Sequence, residues 1–571
     1  MYQWLLFIVV AGMVLYPVSW LVRGSFWSSR PGADGFFTLR NYVDTFSDPY
    51  TWQLLGVSFA ISAAQTLLAC ALGVFLAWLV ARTDVPFVNV VESLAPVPFF
   101  VPGLLVAMGW AILANPTNGS LNTLLAGVLH TPRGPINIYT AGGIIWVEAL
   151  HSAAFVYLLV VGAMRNMDTT LEESARMSGA SGPGTFRHIT LPLLIPALSG
   201  AAILTFIAGL EAFETPAILG TPGKVFVFTN EIYYNLRWVT PANYGAAMTL
   251  AILLTLVMLV VVLLQWLLLR GRTYTTITGR GYRPQRIHLG KWAVPALALF
   301  GLYLMFAVVL PIGLVIATSF FSVFGVYTPQ TLTLNNYLAI VSDPQIGRAL
   351  SNTLFLAVGG AFLAMLLSSV VAYVVVRTDF VARRVLELIV WLPWALPGIV
   401  LSLAMLWAYI RLPVPIYGTI WVLLLAYVTF GLPLGVRTMS GVLTQVSRDL
   451  EESARTSGAS WRQTFVLIVL ALVRPGFIAG WLLLGVLFMR SLSVALTLYA
   501  NGSEVLSMVS FVAWELGQGT KAAALATAML LLIIGFVVLD MAVRAWERRR
   551  LEQSSAFRVE TAAAQSEWVA R

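Results

Sequence analysis

Five ionisable side chains stand in stretches that are otherwise apolar: Glu148, His151, Glu211, Glu214 and Arg490. A charge at mid-membrane costs roughly 2.5–3.5 kcal/mol, so such groups need a partner or a water-filled cavity. Glu148 and His151 are three residues apart and can hydrogen-bond on one helix face, a structural role. Glu211, Glu214 and Arg490 have two readings. Either Arg490 pairs with Glu211 or Glu214 along a translocation path, or one or more of them faces water at the outer boundary. Chemistry of other kinds is excluded. The four histidines lie far apart and Cys70 is alone, so no metal-ligand spacing forms. No phosphate-binding loop, nucleophile elbow or His-Glu-x-x-His motif is present. The chain therefore carries no cofactor and cannot hydrolyse ATP itself.

A second group of charges is repeated. Leu171-Glu172-Glu173-Ser174-Ala175-Arg176 matches Leu450-Glu451-Glu452-Ser453-Ala454-Arg455, and Gly179 matches Gly458, at an offset of 279. Thr170 or Asp449 can cap a helix here, with Glu173 or Glu452 completing a capping box. Gly179 or Gly458 can end it in a left-handed conformation. Other repeats stand at an offset of 295. Arg82-Thr83-Asp84 recurs as Arg377-Thr378-Asp379, Glu92 as Glu387, and Pro98, Pro102 and Gly103 as Pro393, Pro397 and Gly398. The first copy thus holds about sixteen extra residues between the two blocks, which fall in the Asn- and Gly-rich stretch Asn115 to Tyr139, read as a loop.

The elements that position these residues are membrane helices. Of 571 residues, 59% are hydrophobic and only 10% charged, against about 25% charged in a soluble domain. Apolar segments at 1–22, 53–81, 91–113, 141–164, 193–219 and 244–269 form one half, and those at 292–317, 351–376, 386–410, 416–437, 473–499 and 521–545 the other. The expectation is an all-α integral membrane protein of about twelve helices in two parallel six-helix repeats. It divides into a first half (1–269), a basic linker (270–291), a second half (292–545) and a tail (546–571). Met1 opens on an apolar segment with no basic region or cleavage site, which predicts a retained first helix. With both termini cytoplasmic, 24 of the 34 lysines and arginines lie on the cytoplasmic side. The net charge of +9 is scattered along loops and membrane flanks, which excludes a nucleic-acid partner. The repeated prolines kink the third span of each half, or unwind it along a path.

The acidic block resembles the Glu-Ala-Ala loop of type I ABC importer permeases. Glu173-Ser174-Ala175, Gly179 and Ile189-Thr190-Leu191-Pro192 match its pattern, as do Glu452-Ser453-Ala454, Gly458 and Ile468-Val469-Leu470, with Ala471 in place of the proline. The resemblance implies that both loops dock two ABC ATPase subunits on the cytoplasmic side, through Glu172, Glu173, Ser174, Ala175, Gly179, Glu451, Glu452, Ser453, Ala454 and Gly458. It also implies a periplasmic substrate-binding protein and a bacterial inner-membrane location. The fused halves, with Ser491 to Tyr499, Gly502, Glu504-Val505-Leu506-Ser507, Trp514-Glu515 and Gly517-Gln518, resemble ferric-iron permeases of that group. Polyamine, thiamine, sulfate and phosphonate importers share the scaffold. A secondary transporter is the distant alternative, and it has no need of duplicated docking loops. Asp48, Asp343 and Glu504 are outer-side charges, read as solvated or as contacts for the binding protein.

Overall fold

Twelve apolar segments need twelve ways of hiding backbone amides from lipid, and the chain solves this almost entirely with helix. The computed structural model describes residues 2–132, 134–168, 170–269, 286–445, 447–460, 463, 467, 470–539 and 541–542. Side chains are described for these except at 176, 183, 266, 268, 269, 448, 451, 452, 455, 470 and 471. Most of the linker and the whole tail 546–571 lie outside the described residues, as do Ile468 and Val469.

Among the described residues, ten helices are long and apolar enough to cross a membrane: Tyr2–Ser25, Pro49–Arg82, Ala141–Asn166, Phe186–Glu211, Tyr244–Gln265, Gly290–Ser319, Pro344–Arg377, Ile420–Gln445, Leu472–Arg490 and Gly519–Leu539. Two further spans are bent pairs, Val88–Phe100 with Gly103–Leu113 at 92° and Arg383–Ala395 with Gly398–Tyr409 at 110°. Counting each pair once gives twelve spans, six in each repeat. Among the described residues the only β-pairing is three isolated bridges.

The two bends fall where the repeated prolines stand. Val101 and Pro102 are extended, as are Leu396 and Pro397. Proline lacks an amide donor and drives its predecessor out of the helical region, so the helix stops and restarts. The third spans are thus broken, beyond a simple kink. Several boundaries also move. The fifth and eleventh spans stop at Glu211 and Arg490 instead of running to 219 and 499. The seventh begins at Gly290, inside the stretch expected as linker. The insertion at 115–139 carries a helix, Ser120–Leu129. Asn122 inside it donates to the carbonyls of Asn115 (2.8 Å) and Ile136 (2.6 Å), which closes the loop on itself.

The halves interlock. The first span of each half packs on the broken third span of the other. Tyr16 donates to the Ala408 carbonyl at 3.1 Å on one side. On the other, Gly109 lies against the Pro311 backbone and Trp110 stacks on Phe306 at 6.1 Å. Within each half the second and fourth spans lie in close contact. In the first half Gly73 makes room for Val156; a Cβ there would lie 2.6 Å from the valine. At the matching positions of the second half the small residue changes sides, and Gly435 makes room for Ser368. Small residues let membrane helices approach closely. Gly73→Leu or Gly435→Leu should destabilise the chain by about 1–3 kcal/mol through overpacking. The check is thermal unfolding in detergent, with Gly12→Leu, where an added side chain meets open space, as the unaffected control.

Candidate functional site

A cavity of about 280 Å³ lies where the fifth and eleventh spans end. It is lined by Glu148, His151, Glu211, Glu214 and Arg490, together with Phe99, Gly103, Phe430 and Ser493. Every ionisable residue picked out of the apolar segments therefore reaches one place. Glu211 and Arg490 are the last helical residues of their spans, at equivalent positions of the repeat. A helix C-terminus favours a cation and disfavours an anion, so Arg490 is well placed and Glu211 is held against the local field.

Arg490 turns toward the first broken span. Its Nη1 donates to the Phe99 carbonyl, and its guanidinium carbon lies 5.3 Å from the centre of the Phe99 ring. That carbonyl stands at the bend, where the helix does not continue to supply an amide. Glu214 accepts a hydrogen bond from the Leu492 amide, and its carboxylate lies against the bare Cα of Gly103. Glu148 accepts from the Thr215 hydroxyl. The expected ion pair of Arg490 with Glu211 or Glu214 is not formed within 4.0 Å among the described residues; backbone partners hold both Arg490 and Glu214 instead. Glu148 and His151 are likewise not bonded to each other, and His151 Nδ1 has no hydrogen-bond partner.

The repeat makes the cavity lopsided. Where the first half places Glu148, His151 and Glu214, the second places Tyr427, Phe430 and Ser493. Tyr427 donates to the Ser491 carbonyl at 2.9 Å, and Ser493 lies against Gly398 as Glu214 lies against Gly103. Acidic groups thus come from one half and the single guanidinium from the other. Among the described residues, no three of His, Cys, Asp and Glu stand close enough together to hold a metal ion. The arrangement gathers carboxyl groups around a cavity without chelating geometry.

The two acidic blocks form short helices, Thr170–Met177 and Arg448–Thr456. Each ends alike. Gly179 and Gly458 have φ of +86° and +89°, and the next amides, of Ala180 and Ala459, return to Ala175 and Ala454 at 3.0 Å. The starts differ from expectation. Thr170 is already helical, so it cannot be the cap. Asp168 Oδ1 accepts from the Thr170 amide at 2.9 Å, which holds the Asp168 carboxyl below its ordinary range. Its counterpart Ser447 accepts from the Asp449 amide at 3.2 Å.

The side chains of these helices sort by face. Ser174 is exposed, and Glu173 and Ala175 are partly so. Leu171 and Met177 are 49% and 89% exposed. An exposed apolar side chain on so polar a helix is a signal in itself. Ser453 is exposed as well; the side chains of Glu451 and Glu452 lie outside the described residues. Glu172 is a correction. It is 5% exposed and faces inward, toward Arg82 and Thr190, where the sequence reading had it facing outward with its neighbours. Of the outer-side charges, Asp48 and Asp343 cap helices through the amides of Tyr50 and Gln345. Glu504 is 2% exposed and is bonded by the Gly502 amide, so it is neither a solvated loop charge nor an exposed contact.

Residues 69–273 and 364–552 match the sequence profile of a family described as the inner membrane component of binding-protein-dependent transport systems. A ferric transport system permease protein of Actinobacillus pleuropneumoniae is 28% identical over 408 residues, 70% of this chain and 58% of that protein. The chain thus spans less than two thirds of that relative's length. A Fe(3+)-transport system permease protein of Haemophilus influenzae is 23% identical over 501 residues, 87% of this chain and 90% of that one. A spermidine/putrescine transport system permease protein from the same organism is 25% identical over 265 residues, 46% of this chain and 89% of that one.

Removing the Arg490 guanidinium would leave the Phe99 carbonyl without its donor. Arg490→Met should therefore destabilise the chain by about 1–3 kcal/mol, the cost of an unpaired buried group. Thermal unfolding in detergent checks this, and Arg490→Lys, which keeps a donor, should recover part of the loss.

Proposed function

This chain belongs to the family of inner membrane components of binding-protein-dependent transport systems, and we propose that it provides the membrane path of an ATP-driven importer. The observation that carries the proposal is the pair of short helices that end alike on left-handed glycines, one in each half. A single such helix is an ordinary capped loop. Two at the same point of a repeat fit a machine driven by two ATPase subunits. The docking face we assign is Glu173, Ser174, Ala175 and Gly179 with Leu171 and Met177, and Glu452, Ser453, Ala454 and Gly458 in the second copy. Hydrolysis of ATP falls to the docked subunits. A binding protein delivers cargo on the opposite side. The chain sits in a bacterial inner membrane with both termini in the cytoplasm, the side on which its basic residues concentrate.

The cargo we assign is ferric iron. The relatives named for ferric transport support it, and so does the cavity, which sets Glu148, Glu211 and Glu214 against the lone Arg490. An acid-rich passage opposes sulfate and phosphonate by charge. A passage, unlike a storage site, must release what it admits, which suits carboxylates too dispersed to chelate. The second reading is a polyamine, another cation, supported by the spermidine/putrescine relative. The test is ATP hydrolysis in reconstituted vesicles holding the chain and its ATPase, stimulated by binding protein loaded with Fe3+ or with spermidine. Iron should stimulate and spermidine should not. Glu211→Gln with Glu214→Gln should reduce iron uptake by about thirtyfold, since each carboxylate lost removes attraction on the order of 1 kcal/mol. Equal stimulation by unloaded protein, or unchanged uptake in the double variant, would remove the assignment.

A further inference from the structure

We propose that Arg82 and Glu172 form a buried latch that ties the first docking helix to the second span, so that the ATPase moves that span directly. The proposal rests on the docking reading above. By chain order, the docking helix Thr170–Met177 is continuous only with the fourth and fifth spans. Glu172 gives it a third connection. Its carboxylate faces Arg82, the last residue of Pro49–Arg82, with Nε to Oε1 at 3.6 Å. Their side chains are 2% and 6% exposed. Thr190 donates its hydroxyl to the same carboxylate oxygen at 2.7 Å. Arg82 also donates through Nη2 to the Met167 carbonyl at 3.3 Å, at the far end of the fourth span. A docking contact would face outward and stay solvated. An ion pair turned inward, with a hydroxyl added, is a mechanical link, because separating its members strands a charge.

The same helix end carries a second tether. The Ile287 amide donates to the Arg82 carbonyl at 2.8 Å, and the Asp84 amide to the Ile287 carbonyl at 3.1 Å. Asp84 accepts from the Leu289 amide at 2.8 Å and meets His288 Nδ1 at 2.5 Å. These hydrogen bonds hold the Asp84 carboxyl below its ordinary range. Residues 287–289 lead directly into the seventh span, Gly290–Ser319. The cytoplasmic end of the second span therefore joins the docking helix to the entry of the second half. Displacement of one is passed to the other. In the second half Arg377 stands at the matching helix end and donates to the Leu443 carbonyl at 2.8 Å, and Glu451 is the sequence counterpart of Glu172, its side chain outside the described residues.

The second span reports its own movement through Cys70, the sole cysteine, which is half-buried. The experiment measures maleimide labelling of Cys70 in vesicles containing the full chain and its ATPase, with and without a non-hydrolysable ATP analogue. No cargo is needed. The analogue should change the labelling rate of the wild type by about fivefold, a typical coupling between sites. Glu172→Gln and Arg82→Gln should each abolish that change while still retaining the ATPase in a pull-down. The double variant should be no worse than either single one. Thr190→Val, which deletes one hydrogen bond and no charge, should weaken the change. A wild-type response kept in Glu172→Gln, or absent from the wild type while the ATPase stays bound, overturns the latch alone. Loss of the ATPase in Glu172→Gln overturns it too, by making Glu172 a docking contact. A wild-type chain that retains no ATPase overturns the docking reading and the latch with it.

Discussion

A backbone carbonyl freed inside a bilayer meets no water, and everything at the centre of this molecule follows from where its chain accepts that difficulty. Both third spans break at a proline, with extended residues between two helical pieces. Lipid would not tolerate the exposed polar groups. The breaks survive because each is buried in protein, with the first span of the other half packed against it. At the first break the Phe99 carbonyl takes its donor from Arg490. One guanidinium thus satisfies a broken helix of one half from the end of a helix in the other, and the space around that contact is the cavity.

The repeat supplies the architecture, and the departures from it make the cavity lopsided. The backbones of the halves match down to the positions where their fifth spans end. The side chains at those ends are opposite in charge, Glu211 and Arg490. Packing follows the same habit, since the glycine that lets the second and fourth spans meet changes sides between Gly73 and Gly435. Duplication followed by divergence gives a cavity whose scaffold is symmetric and whose lining is not. The helices of the two acidic blocks, by contrast, end alike, each on a left-handed glycine.

Much of this was legible in the sequence. Twelve apolar segments, the repeat and the acidic blocks are periodic or local signals, and local signals survive without tertiary information. The convergence of Glu148, His151, Glu211, Glu214 and Arg490 was only half legible: their presence in apolar segments was plain, but their actual partners were not. Arg490 chose a carbonyl exposed by a bend 391 residues away, and no spacing rule reports that. Span ends were misread because hydropathy continues past Glu211 and Arg490 while the helix does not. Thr170 and Asp449 are good capping types, yet both lie inside their helices. Glu172 was read with its neighbours as an outward contact. Its inward turn depends on Arg82, whose charge had been noticed only as a count toward orientation.

The central claim is that two docking helices connect this path to ATP hydrolysis. Purified chain in vesicles, supplied on one side with Fe3+-loaded binding protein and on the other with ATP, tests it most directly when the ATPase subunit is present or left out. The account predicts iron accumulation that requires both ATP and the ATPase, and that stops when Gly179 and Gly458 are both replaced by valine, which resists the left-handed turn. Accumulation that persists without the ATPase subunit would contradict it and identify a secondary transporter.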